Sequence, residues 1–102
     1  MPEYIRLSST AVDPADIGEM QRLFADDVRP AYVSSAGCLG VELAICVTHN
    51  AGGLVDAEAI SRWSSRSDMD AALASREIQE AMVRIRQILR QEPVSKVLEI
   101  LQ

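Results

Sequence analysis

The stretch Asp56-Ala57-Glu58-Ala59-Ile60-Ser61-Arg62-Trp63 constrains this chain more than any other. Side chains alternate along a strand, so Ala57, Ala59, Ser61 and Trp63 share one face and Glu58, Ile60 and Arg62 the other. Three small residues lead up to the only tryptophan of the chain. They leave space in front of the indole, which suits a pocket wall and equally suits a closely packed neighbour. Ser64-Ser65-Arg66-Ser67-Asp68 follows at once with helix-start chemistry, Ser65 or Ser67 acting as N-cap. A short helix to Ser75 and a longer one over about Arg76 to Arg90 come next. The second carries an apolar stripe of Ile78, Ala81 with Met82, Ile85, and Ile88 with Leu89. Pro93 is expected to end it.

The segments on either side follow the same logic. Tyr4 to Ala11 reads as a first strand, with Ile5, Leu7 and Ser9 on one face and Tyr4, Arg6 and Ser8 on the other. Asp13-Pro14 is a helix start, since Asp13 caps free N–H groups and Pro14 fits the first helical position. Ile17, Met20, Phe24, Val28, Ala31 and Tyr32 form one apolar stripe. Pro30 lacks a backbone donor and is expected to interrupt that helix after Val28. A second strand opens at Cys38, with Val41, Leu43, Ile45 and Val47 toward the helices and Gly40, Glu42, Ala44 and Cys46 away from them. Thr48 to Gly53 is a turn joining it to the Trp63 strand as a hairpin. A last strand, Val94 to Leu101, is apolar on both faces.

The order is βαββαβ, which predicts an α+β, ferredoxin-like fold with an antiparallel sheet. With 102 residues it is expected to be a single domain spanning 1–102. Helices on one side cover one sheet face only. The second face carries apolar or small residues, so a homodimer packed sheet to sheet is expected.

Composition narrows the function. The net charge is −5 and no basic stripe dominates, which argues against nucleic acid as a partner. Arg84, Arg86 and Arg90 read as a solvated helix face, with Glu80 placed to pair with Arg84. No apolar run approaches the ~20 residues of a membrane span. The first residues lack the pattern of a signal peptide, so a cytoplasmic location is expected. Cys38 and Cys46, at opposite ends of one strand, are roughly 26 Å apart, beyond disulfide reach. No metal-ligand spacing, phosphate loop, Ser-His-Asp set or flavin motif is present.

Among candidate site residues, His49 is the only histidine and sits in the predicted turn. It reads as a surface residue, or as a proton acceptor at a cavity mouth because imidazole titrates near neutral pH. Arg6 is expected on the second sheet face, either holding a substrate anion or pairing with Glu42. Ser8 and Ser61 are candidate hydrogen-bond donors, and Met82 reads as core or, alternatively, as an iron ligand.

Three motifs carry a resemblance to a known family. Ser35-Ala36-Gly37-Cys38-Leu39-Gly40-Val41-Glu42-Leu43 is similar to the xPGCLGYEL segment of the antibiotic biosynthesis monooxygenase family. Ile60-Ser61-Arg62-Trp63-Ser64-Ser65-Arg66 resembles its xExWxSxE strand end, and Leu73-Ala74-Ser75 its HLxS. The resemblance covers nearly the whole chain in motif order and spacing. It implies the dimeric α/β barrel, two ferredoxin-like protomers packed sheet to sheet. It also implies oxidation of a small aromatic substrate, quinol-like or polycyclic, by O₂ without metal, flavin or haem. Trp63 would line the cavity between sheet and helices. Where family members place a histidine, an amide and a tyrosine, this chain has Ala72, Ala59 and Met69. Where the haem-degrading branch places Asn and an axial His, it has Ile5 and Met82, which disfavours haem degradation.

These residues leave two main functions in competition. One is a cofactor-independent monooxygenase with Trp63 and His49 as catalytic residues and Arg6, Ser8, Ala59, Ser61, Met69 and Met82 around the substrate. The other is a non-oxidative dimeric barrel that binds or isomerises a small metabolite, motivated by the missing polar groups. A structural dimer with a filled cavity is a third.

Overall fold

The computed structural model describes residues 2–48 and 52–102. Its order is β1 (Tyr4–Val12), a helical segment, β2 (Cys38–Ile45), β3 (Val55–Trp63), α3 (Arg66–Leu73), α4 (Arg76–Arg86) and β4 (Val94–Glu99). The strands form one sheet in the order β2-β3-β1-β4 with every neighbour antiparallel. This is the predicted βαββαβ arrangement. His49 lies outside the described residues. Among those described, no helix is long and apolar enough to cross a membrane.

The helical segment between β1 and β2 is not one regular helix. Asp13 accepts from the Ala15 N–H at 2.9 Å and caps a 3₁₀ turn, Pro14–Asp16. The α-helix α1 (Ile17–Leu23) leads into a π turn, Phe24–Val28, and α2 (Arg29–Val33) follows. Pro30 is the cause. It offers no N–H to the carbonyl four residues back, and the chain widens instead, so that the Arg29 N–H reaches the Phe24 carbonyl. The widened turn still buries both Phe24 and Val28, and it leaves Asp27 to accept two bonds from Arg84 of α4, at 2.7 and 2.9 Å. Arg84 therefore does not pair with Glu80 as its spacing predicts. A neighbouring carboxylate offers it a bidentate fit, and Glu80 is engaged by Arg76 at 2.8 Å.

The N-cap of α3 is Ser65, which accepts from the Asp68 N–H at 3.1 Å, and Ser75 caps α4 in the same way. The helix ends at Arg86, short of the predicted Arg90. Its final turns tighten, Leu89 forms a lone bridge to Val12, and the Arg90 N–H donates to the Ala11 carbonyl at 2.8 Å. Pairing with the end of β1 thus overrides the helical periodicity, and Pro93 only follows.

Sheet register decides which residues face the helices. Trp63 is fully buried and stands opposite Tyr4 on β1 and Cys38 on β2. Two-residue steps then place Arg6 opposite Ser61, Ser8 opposite Ala59 and Thr10 opposite Ala57, all on the helix side. Arg6 is thus not on the second sheet face, and it cannot meet Glu42, which pairs with Ile60 on the opposite side. The second face instead receives Ile5, Leu7, Ile60 and Leu98, with Glu58, Arg62 and Lys96 among them. Between sheet and helices the core is built from Val12, Met20, Leu23, Phe24, Val28, Tyr32, Val41, Trp63, Met69, Ile78 and Ile85.

Candidate functional site

The core is not filled. Ala57 and Ala59 have no bulk to offer the helices above them, and a cavity of about 140 Å³ remains over that part of the sheet. Its floor is Arg6, Ser8 and Thr10 of β1, Leu43 of β2, and Ala57 and Ala59 of β3. Its roof is Met20 of α1, Phe24 and Val28 of the π turn, Tyr32 of α2, and Ile78, Met82, Ile85 and Arg86 of α4. Most of this surface is hydrocarbon or aromatic, with a few polar groups among it, the usual make-up of a small-molecule site.

The polar groups are concentrated on β1. The Arg6 guanidinium donates to Ser95 Oγ at 2.9 Å, and Ser95 Oγ lies 3.3 Å from Ser8 Oγ. Arg6 is half-buried, and among the described residues no carboxylate pairs with it. Tyr32 is buried beside it. Burial pushes the Tyr32 hydroxyl above its ordinary pKa of 10.0, while the charge and hydrogen bond of Arg6 pull the other way. The net shift is upward, so Tyr32 is a neutral donor at physiological pH. Thr10 is already engaged, donating to the Gln91 carbonyl at 2.6 Å.

Four of the predicted site residues, Arg6, Ser8, Ala59 and Met82, come together on this cavity. Trp63, Ser61 and Met69 do not line it. The Trp63 indole is 0% exposed, and its Nε1–H donates to Ser61 Oγ at 2.9 Å, so Ser61 is a buried acceptor for the indole and not a donor to substrate on the cavity wall. The room left by the small face of β3 opens over Ala57 and Ala59, not over the indole. Tyr32 supplies aromatic surface to the cavity, and Trp63 packs against it, ring centroids 6.1 Å apart at 54°. Met69 is seated in the core, because α3 packs its Met69 and Ala72 side against β3. Tyr32, Phe24, Arg86 and Ser95 are the residues that sequence reasoning did not assign to a site. Tyr32 had a signal, being the one residue with a polar tip on the apolar stripe of its helix. Ser95 had none, since only pairing with β1 brings it to Arg6. Among the described residues, no three His, Cys, Asp or Glu side chains converge closely enough to hold a metal ion.

No protein-family model matches the sequence, and no curated protein matches it. Solved structures do match in shape. A protein of Bordetella bronchiseptica provisionally named an antibiotic biosynthesis monooxygenase is 17% identical, with both chains covered over 100% of their length and a TM-score of 0.82. A Caulobacter crescentus protein provisionally named in the same way is 19% identical, with 98% of this chain and 91% of that one covered and a TM-score of 0.77. A mutant of SnoaB, a cofactor-independent oxygenase from Streptomyces nogalater, is 16% identical, with 98% and 94% covered and a TM-score of 0.75. The chain therefore has the ferredoxin-like fold of structures named for antibiotic biosynthesis monooxygenases.

Proposed function

We propose that this protein is a cofactor-independent monooxygenase, acting as a cytoplasmic homodimer on a quinol-like or polycyclic aromatic substrate with O₂. The observation that carries the reading is an apolar cavity bordered by a half-buried guanidinium, Arg6, with which no carboxylate pairs among the described residues. A cation held in that way favours an anionic oxygen on whatever binds. An electron-rich ring anion is the form of a quinol that reacts with O₂.

The stoichiometry needs no outside reductant. A quinol and O₂ give a hydroxyquinone and water: one oxygen atom replaces a ring hydrogen as hydroxyl, the other leaves as water, and the substrate supplies all four electrons. In this reading Arg6 favours the deprotonated ring oxygen, and the neutral Tyr32 hydroxyl donates to the oxygen atom that leaves. The apolar roof of Phe24, Val28, Met82 and Ile85 excludes bulk water and fixes the ring. His49 is proposed as a proton acceptor at the mouth. Trp63 acts by holding Tyr32 in place, without touching substrate. The second copy covers the face built from Ile5, Leu7, Ile60 and Leu98.

The test is incubation of the purified protein with a panel of aromatic quinols under ¹⁸O₂. One labelled oxygen in the product and one in water are expected. No label in any product overturns the reading. The alternative, a barrel that only binds or isomerises a metabolite, is favoured by one observation. The only carboxylate residue bordering the cavity among the described residues is Glu58, whose side chain is turned to the other sheet face. Oxygen uptake on ligand addition decides between the two.

A further inference from the structure

The cavity that the proposed function uses has a charge and a size that narrow its ligand. The chain carries a net charge of −5, yet two guanidiniums, Arg6 and Arg86, border this one cavity. Both are near enough to the Tyr32 hydroxyl to act on it electrostatically. Among the described residues neither belongs to an ion pair. Glu58 does not neutralise them. It alternates with Ala57 and Ala59 onto the opposite sheet face, where Ser9 Oγ donates to it at 2.8 Å. The half-buried Arg6 guanidinium, with the exposed Arg86 guanidinium also bordering the cavity and no counter-charge paired with either among the described residues, gives the cavity a positive potential.

Size sets the other limit. A cavity of about 140 Å³ is close to the roughly 150 Å³ that holds one benzene in an apolar protein core. Three fused rings exceed that volume and would extend out of the recess. Arg84 of α4 is tied to Asp27 of the π turn through two bonds, which holds the two parts of the roof to each other.

We infer that the site takes a single-ring aromatic anion, its ring under Phe24, Val28 and Met82 and its charged oxygen group on Arg6, with Arg86 adding to the attraction. This rests on the cavity being the substrate site, and within the quinol-like or polycyclic range it selects the one-ring end. A phenolate and a ring carboxylate present the same charged oxygen to Arg6.

Isothermal titration of the full chain with benzoate, benzyl alcohol and anthracene-2-carboxylate tests the inference. Benzoate should bind about tenfold or more tighter than its neutral analogue, as one charge-assisted bond warrants. Anthracene-2-carboxylate should bind at least about tenfold more weakly than benzoate if the roof stays closed. Arg6→Gln retains a donor for Ser95 and should remove the preference for benzoate while leaving benzyl alcohol unchanged. Arg86→Gln, at an exposed position, should lower benzoate affinity a few-fold and serves as the second variant if Arg6→Gln does not fold. Equal affinity for benzoate and benzyl alcohol, tight binding of the tricyclic acid, or a preference that survives both substitutions overturns the inference. The titration reads no oxygen chemistry. If benzoate follows the pattern while no quinol gains ¹⁸O, the monooxygenase reading falls and the ligand class stands. Labelled product from an enzyme indifferent to benzoate overturns the ligand class alone.

Discussion

Replacing Ser61 by alanine isolates the bond that keeps Trp63 out of the cavity. Both residues are buried, the indole fully, and Nε1 donates to Ser61 Oγ at 2.9 Å. Among the described residues, no buried side-chain nitrogen or oxygen lacks a partner. Ser61→Ala would create one, an indole N–H with nothing to bond. Leaving a buried donor unsatisfied costs about 1–3 kcal/mol, and on a domain of this size about 2 kcal/mol lowers Tm by roughly 10 °C. The same substitution in a Trp63→Phe background should cost close to nothing, because the serine hydroxyl is then the orphan. The difference between backgrounds, about 1–3 kcal/mol, is the coupling of the pair. Urea unfolding followed by far-ultraviolet circular dichroism reads all four chains, at one fixed protein concentration because dissociation of a dimer would enter the midpoint. A Ser61→Ala cost below about 0.5 kcal/mol, or an equal cost in both backgrounds, would refute the argument that this bond fixes the indole.

Three further substitutions probe other parts of the molecule. Ala59→Leu places a branched side chain in the cavity, so benzyl alcohol binding should fall beyond detection by titration while Tm holds or rises; retained binding would show that the cavity lies elsewhere. The Arg84 guanidinium, through its hydrogen bonds, holds the Asp27 carboxyl below its ordinary value. That stabilisation is present above the unfolded aspartate pKa and disappears as pH falls through the lower folded one, so the urea midpoints of wild type and Asp27→Asn should converge on acidification below about pH 4. A gap between them that does not change with pH would contradict this. Ile60→Glu charges the centre of the outer sheet face, where Ile60 stands opposite Leu7. Sedimentation should give a dimer for wild type and a monomer for the variant, and a wild-type monomer at micromolar concentration would remove the proposed second copy.

The elements were legible because caps, proline and alternation act locally. Asp13 and Ser65 cap as their chemistry predicts, the helix that contains Pro30 is irregular, though as a π turn over Phe24–Val28 and not as a break after Val28, and the small face of β3 does leave a space. The errors come from contacts made at long range. Nothing within α4 says that Arg84 will prefer Asp27 to Glu80. Nothing in β3 says that Ser61 will spend its hydroxyl on Trp63 two residues away, which moves the open space from the indole to the alanines. Ser95 meets Arg6 only through the pairing of β1 with β4. The apolar stripe ending in Tyr32 is mostly core, yet the same face supplies the cavity roof wherever β3 offers only alanine beneath it.

The most informative residue is the one placed on the wrong side. Alternation along β1 separates Arg6 and Ser8 from Ile5 and Leu7, and hydropathy alone turns the isoleucine and leucine inward. The sheet does the reverse, because Tyr4 is in register with Trp63 and the indole must be buried. Each half of that inversion carries a cost. A guanidinium taken partly out of water with no carboxylate beside it among the described residues loses hydration that the Ser95 and Tyr32 hydroxyls do not fully replace. Isoleucine and leucine on an open sheet face forgo burial worth about 1.5–3 kcal/mol each when complete. A chain that kept Arg6 inside and Leu7 outside for stability alone would be better served by exchanging them. The two costs are relieved by different things, an anion in the cavity and a second sheet on the outer face, and neither relief substitutes for the other. Arg6→Leu should therefore stabilise the fold while abolishing benzoate binding, and Leu7→Glu should break association while leaving the affinity of each cavity for benzoate intact.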